Sequence, residues 1–209
     1  MTPAEATLII LGTITPYFGD HEEPIDRTVR YEVISSSIDT AARYGACEKG
    51  DPDCDDRAWV VGDGSIKRLE LTAALIVLGR FESGYARHVH QNRCRVLIGE
   101  CDNGRARSPW QFQRTELTRR QWWSYKGADQ RSTETAAYAA AIVLGRARAN
   151  CGSWEGAFAQ YATGGACKWK YSAPRAAAYE KTLVELRRLV ALPAGSEEDT
   201  EDDTEDADL

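Results

Sequence analysis

No apolar run in the 209-residue chain approaches the roughly 18 residues needed to cross a bilayer, which argues against an integral helical membrane protein. Alternating apolar and polar residues, the mark of a half-buried strand, are nearly missing, so neither a sandwich nor a barrel is expected. The chain has no Gly-x4-Gly-Lys-Ser/Thr loop, no Gly-x-Gly-x2-Gly after a strand, no His-Glu-x2-His and no Gly-x-Ser-x-Gly. These gaps argue against the common nucleotide-binding loops, the zinc-protease helix and the hydrolase nucleophile elbow. The apolar stretch 6–14 (ATLIILGTI) is preceded by Glu5 and by no Lys or Arg, so no ordinary signal peptide is recognisable. The last 14 residues contain no base.

What is present is the composition of a folded domain: 43% hydrophobic and 28% charged residues. The net charge of −6 is unevenly distributed. Nine acids (Glu197, Glu198, Asp199, Glu201, Asp202, Asp203, Glu205, Asp206 and Asp208) crowd the C-terminus, and the other 26 bases and 23 acids leave a body of +3. Such a tail cannot bury apolar surface and is expected to be disordered. The expected organisation is an N-terminal apolar segment and loop (1–28), a helical domain (29–194) and an acidic tail (195–209).

The six cysteines fall into sequential neighbours, and local pairing is expected: Cys47–Cys54, Cys94–Cys101 and Cys151–Cys167. Each bridge would close a polar loop and would imply an oxidising, extracytoplasmic setting. The alternative is a metal site at His88, His90, Cys94 and Cys101, but its spacing is wider than that of structural zinc, and no metal or cofactor is expected.

Helical periodicity dominates the remainder. Helices are predicted over 4–14, ended by Pro16, and over 29–43, with 17–28 a loop. Residues 66–81 (IKRLELTAALIVLGRF) are apolar on every side from Ala73 to Leu78, which places a helix inside the core, with Gly79 and Gly84 loosening its end. The segment ALIVLGR (74–80) is echoed by AAIVLGR (140–146), read as two similar buried helices. Residues 86–131 are expected to be largely irregular, the kind of stretch that forms a cleft wall. Ser132, Ser153 and Ser172 are predicted N-caps of three further helices, the last carrying the stripe Ala176, Tyr179, Leu183, Leu186 and Val190 and stopped by Pro193.

Glu82 follows the central helix in FESGY (81–85). Apolar surroundings and the negative helix end both disfavour a carboxylate there. A carboxyl kept protonated is what glycosidic cleavage requires, because the leaving oxygen must gain a proton. Downstream lie ARSPWQFQ (106–113) and WEGAFAQYATGGAC (154–167). Taken together over about residues 66–190, these segments resemble the lysozyme-like superfamily of lytic transglycosylases and goose-type lysozymes. The pattern there is Glu-Ser at the end of a central helix, a Gly-Leu-Met-Gln-like segment, then an Ala-Tyr-Asn-x-Gly-like segment.

The resemblance implies an all-α lysozyme-like fold around a central buried helix. It implies Glu82 as general acid and later base, Ser83 orienting Glu82 or substrate, and Gln111 and Tyr161 lining the cleft, Tyr161 near the Glu82 carboxyl. Ser108, Pro109 and Ala162 depart from the pattern at positions that would hold substrate. A second carboxylate would lie about 5–5.5 Å or about 6.5–9.5 Å from the acid, depending on mechanism. Glu100, Asp102 and Glu116 are candidates, Asp102 foremost because Cys101 would fix it. Trp110, Phe112, Trp122, Trp123 and Tyr125, interleaved with arginines, could pack on sugar faces, Trp110 first among them. Trp169 and Lys168 are expected at the far end of the cleft.

The expected function is cleavage of the β-1,4 bond of peptidoglycan by a monomer, or by a part of a virion or wall-spanning machine. The expected partner is the glycan strand rather than nucleic acid. The rival expectation is an inactive lysozyme-fold module that binds wall or builds a virus particle.

Overall fold

The computed structural model describes residues 1–14, 22–46, 66–94, 98–115 and 118–192. Among these the chain is helical, with one two-stranded exception. The long helices are α1 (Pro3–Ile14), α2 (Pro24–Gly45), α3 (Arg68–Ser83), α7 (Gln130–Cys151), α8 (Trp154–Thr163) and α9 (Ser172–Ala191). Between α3 and α7 lie the short α4 (Arg87–His90), α5 (Glu100–Gly104) and α6 (Arg119–Ser124), with strands β1 (Ala106–Arg107) and β2 (Phe112–Gln113). The strands pair antiparallel, Ala106 opposite Gln113 and Arg107 opposite Phe112. No described helix is long and apolar enough to cross a membrane.

Helix α3 is the hub. Its residues from Leu71 to Gly79 are all buried, as a segment apolar on every side must be. Helices α1, α2, α7 and α9 pack around it. The echoed segment in α7 is different. Ala140, Ala141 and Leu144 are buried, but Ile142 and Val143 are only partly so, and α7 covers the core from one side. Helix α1 contributes Ala6, Ile10 and Leu11 to the same core.

Several element boundaries differ from expectation. Helix α2 begins at Pro24, so the expected loop over 17–28 and the boundary at residue 28 fall partly inside it. Proline is favoured in a first helical turn because its missing N–H has no helical partner there. Val29 of α2 is exposed, while Tyr31 is buried. Helix α7 is capped by Asp129, whose side chain accepts from the Ser132 N–H. Ser132 is therefore inside the helix, and its hydroxyl accepts from Lys126 N–H at 2.6 Å. Ser153 does cap α8, accepting from Gly156 N–H at 3.0 Å. Ser172 is the first residue of α9 and donates to the Trp169 carbonyl instead of capping. On α9, Leu189 is buried where Val190 was expected.

Disulfides join Cys94 to Cys101 and Cys151 to Cys167, across Cα separations of 6.0 and 5.4 Å. Cys47 and Cys54 lie outside the described residues, as do Glu116, Pro16, Pro193 and the acidic tail. Two formed bridges are compatible with an extracytoplasmic protein, since such bonds persist under oxidising conditions. They also answer the metal alternative: the Cys94 and Cys101 sulfurs are bonded to one another, so neither offers a thiolate. His88 faces Glu100 at 3.2 Å, and buried His90 meets Thr133 Oγ1 at 2.9 Å.

Candidate active site

The last turn of α3 carries Glu82 and Ser83, because the helix runs two residues past its expected end at 81. Gly84 closes the helix in the left-handed region, φ 58°, and donates its N–H to the Arg80 carbonyl. The chain then folds back, so that Tyr85 inserts its ring beside the same helix. The Tyr85 hydroxyl donates to the carbonyls of Leu75 and Ile76 at 3.2 and 2.9 Å. Trp110 reaches the same point from the hairpin region, its Nε1 donating to the Leu75 carbonyl at 3.0 Å. The two rings meet edge-on with centroids 6.5 Å apart.

Glu82 is not out in bulk solvent. Its side chain is 18% exposed, and Oε1 accepts from Arg175 Nη1 of α9 at 2.6 Å. Burial pushes the carboxyl above the usual carboxylate range, while the Arg175 charge and hydrogen bond pull it back. Arg175 is itself held between two rings, its guanidinium carbon 5.5 Å from the Phe81 centroid and 5.1 Å from that of Trp169. Tyr161 is coupled to the same centre: burial first, and then the negative charge of Glu82, push its phenol well upward. Its hydroxyl donates to the Trp110 carbonyl at 2.7 Å.

The three segments FESGY, ARSPWQFQ and WEGAFAQYATGGAC are therefore linked: Glu82 ends α3, Trp110 docks on the Leu75 carbonyl in the middle of the helix, and Tyr161 bonds the Trp110 carbonyl while feeling the Glu82 charge. Ser83 has a local role: its Oγ donates to the Gly79 carbonyl and accepts from Tyr85 N–H, at 3.2 and 3.1 Å, tying the turn that presents Glu82. Gln111 sits in the left-handed region, φ 50°, with its amide donating to the Ser108 carbonyl at 2.9 Å.

Trp110 is wholly buried, so its ring offers no face to a sugar; it serves as a core wedge and hydrogen-bond donor. Phe112 and Tyr125 are buried as well. Of the five aromatics expected to bind sugar, only Trp122 and Trp123 remain within reach of solvent, with Arg107 stacked 3.6 Å from the Trp122 ring. Asp102 is exposed, and Oδ2 accepts from Gln113 at 3.0 Å. It belongs to α5, a left-handed turn with φ of 54°, 49° and 54° at Cys101, Asp102 and Asn103. Left-handed backbone is costly for residues with a Cβ; here the turn is tied on one side by the Cys94–Cys101 bridge.

Sequence reasoning missed Arg175. It lies 93 positions from Glu82, in the first turn of α9, where an arginine draws no attention. No local pattern announces a cation whose partner comes from another helix. Trp169, by contrast, was expected to border the cleft, and its ring lies against Arg175. Comparison with known protein families, curated proteins and solved structures finds no match to this chain.

Proposed function

We propose that the chain is a lysozyme-like, peptidoglycan-cleaving enzyme in which Glu82 protonates the bridging oxygen of a β-1,4 glycosidic bond. One observation carries this: the Glu82 carboxyl is desolvated at the end of a helix buried from Leu71 to Gly79, and Tyr161, which the resemblance implies as its neighbour, lies within reach of its charge. In such a site the carboxyl gives its proton to the leaving oxygen as the bond from the anomeric carbon breaks. The resulting carboxylate then takes a proton, either from an attacking water or from a hydroxyl of the sugar itself. Ser83 and Tyr85 hold the turn that aims the acid, and Arg175 stabilises the carboxylate left after proton transfer.

A second reading draws on the same ion pair. A guanidinium 2.6 Å from the carboxylate favours the charged form, and a permanently paired Glu82 would serve an inactive module that binds wall or builds a virion. Turnover of purified peptidoglycan by wild type and by Glu82→Gln separates the two. The enzyme reading expects soluble muropeptides from the wild type and a loss of at least about a hundredfold in the variant, the scale of one general acid. Equal clearing by both proteins removes Glu82 from the chemistry, and no clearing by the wild type leaves the binding module. Product masses distinguish anhydro from reducing ends.

A further inference from the structure

A groove of about 420 Å³ opens between α1, the end of α3 and the first half of α9. Its walls are largely apolar: Ile10 and Ile14 from α1, Phe81 from α3, and Ala177 and Ala178 from α9. Phe81 is 39% exposed, a large ring left at the groove instead of packed into the core. Two cations line the same groove, Arg80 and Lys181, and both are exposed. Among the described residues neither has a carboxylate partner; Arg80 only lies 5.9 Å from the Phe81 ring centroid. The acid in the wall, Glu185, is already engaged: both its oxygens accept from Arg188, at 2.8 and 2.6 Å. The groove does not contain Glu82. It shares one ring with that site, since Phe81 also lies 5.5 Å from the Arg175 guanidinium carbon.

Apolar walls with a few placed polar groups are the ordinary make-up of a small-ligand pocket. Here the walls suit an alkyl chain, each buried methylene strengthening binding about three- to fourfold. The guanidinium and the ammonium select an anion for the other end of the ligand, and a carboxylate can meet a guanidinium through two parallel hydrogen bonds. A cationic amphiphile would be repelled by both groups, and an anion without a chain would leave the walls wet. We propose that this groove binds a single-chain alkyl carboxylate, a fatty-acid-like amphiphile, with its head held by Arg80 and Lys181 and its chain along Ile10, Ile14 and Phe81. The site is separate from the glycan chemistry proposed for Glu82 and stands whether or not that chemistry occurs.

The test titrates octanoate and decanoate into the full chain, below the concentrations at which they form micelles, and follows heat and the methyl resonances of Ile10 and Ile14. Both methyl signals should move, and decanoate should bind about tenfold more tightly than octanoate, the factor for two further buried methylenes. Arg80→Gln/Lys181→Gln should weaken decanoate about tenfold, the factor for roughly 1.4 kcal/mol of charge-assisted contact. The same double variant should bind decyltrimethylammonium no more weakly than wild type does. Arg80→Lys should keep most of the decanoate affinity. Ala177→Trp, at an exposed wall position, fills the groove and should abolish the Ile10 and Ile14 shifts. No binding of decanoate, or binding that leaves both isoleucine methyls unmoved, overturns the groove. Equal decanoate affinity in wild type and the double Gln variant overturns the carboxylate assignment, and unchanged affinity in Ala177→Trp places the chain elsewhere and overturns the proposal.

Discussion

At Glu82 two effects oppose each other, and their balance can be read as stability. Burial raises the carboxyl, and Arg175 lowers it, with burial the larger. A folded value above the unfolded one means that the native chain holds this proton to higher pH. The group's favourable contribution is complete below the unfolded value near 4.3 and is lost as pH rises through the folded value. Arg175→Gln removes the opposing charge, so the carboxyl rises further and more stability is lost at neutrality. Stranding one member of a pair buried to this degree should cost about 3 kcal/mol at pH 7. At pH 4, where Glu82 is largely protonated, the deficit should shrink to a small fraction. Urea unfolding of both proteins at the two pH values gives the answer, and an equal deficit at both would mean that the ion pair is not its source. Glu82 itself was legible in the sequence, because an acid after an all-apolar helix is a local signal. Arg175 was not, because its meaning comes from α9 packing on α3.

Among the elements, α3 shows how packing fixes what periodicity only outlines. Its all-round burial follows from six consecutive apolar residues, Ala73 to Leu78. The role of Gly79 does not. A Cβ placed there would sit 2.4 Å from the Tyr85 ring and hydroxyl, so glycine leaves the space that Tyr85 fills. Tyr85 is itself buried and bonded to the helix carbonyls, so the ring cannot retreat cheaply. Gly79→Ala should therefore destabilise by about 1–3 kcal/mol through overpacking, despite alanine's better helix propensity. Thermal unfolding checks this, and a stabilised variant would show that Tyr85 yields. In the same way, Trp110 was read as a sugar platform because aromatic residues beside arginines look alike whether they face a core or a ligand. Its burial is decided by the hairpin that turns residues 106–113 back onto α3.

Over the whole molecule, the two described bridges restrain different regions. Cys94–Cys101 ties the left-handed turn, and Cys151–Cys167 ties the end of α7 to the loop that enters α9. Loop-closure entropy assigns a bridge with fifteen intervening residues about 3 kcal/mol. Cys151→Ala/Cys167→Ala should lose stability of that order in urea. Unchanged stability would mean that α8 and its packing on α7 and α9 already hold the loop.

The sequence by itself determined the helical class, the central buried helix, the local pairing of the four described cysteines and the position of Glu82 at a helix end. All of these depend on neighbours within a few turns of chain, where periodicity, caps and spacing act directly. Only the tertiary structure decided that Arg175 clasps Glu82, that Trp110 docks on the middle of α3 and accepts from Tyr161, and that the Trp169 ring stacks on Arg175. Those contacts join residues tens of positions apart, and long-range packing leaves no periodic trace in the chain.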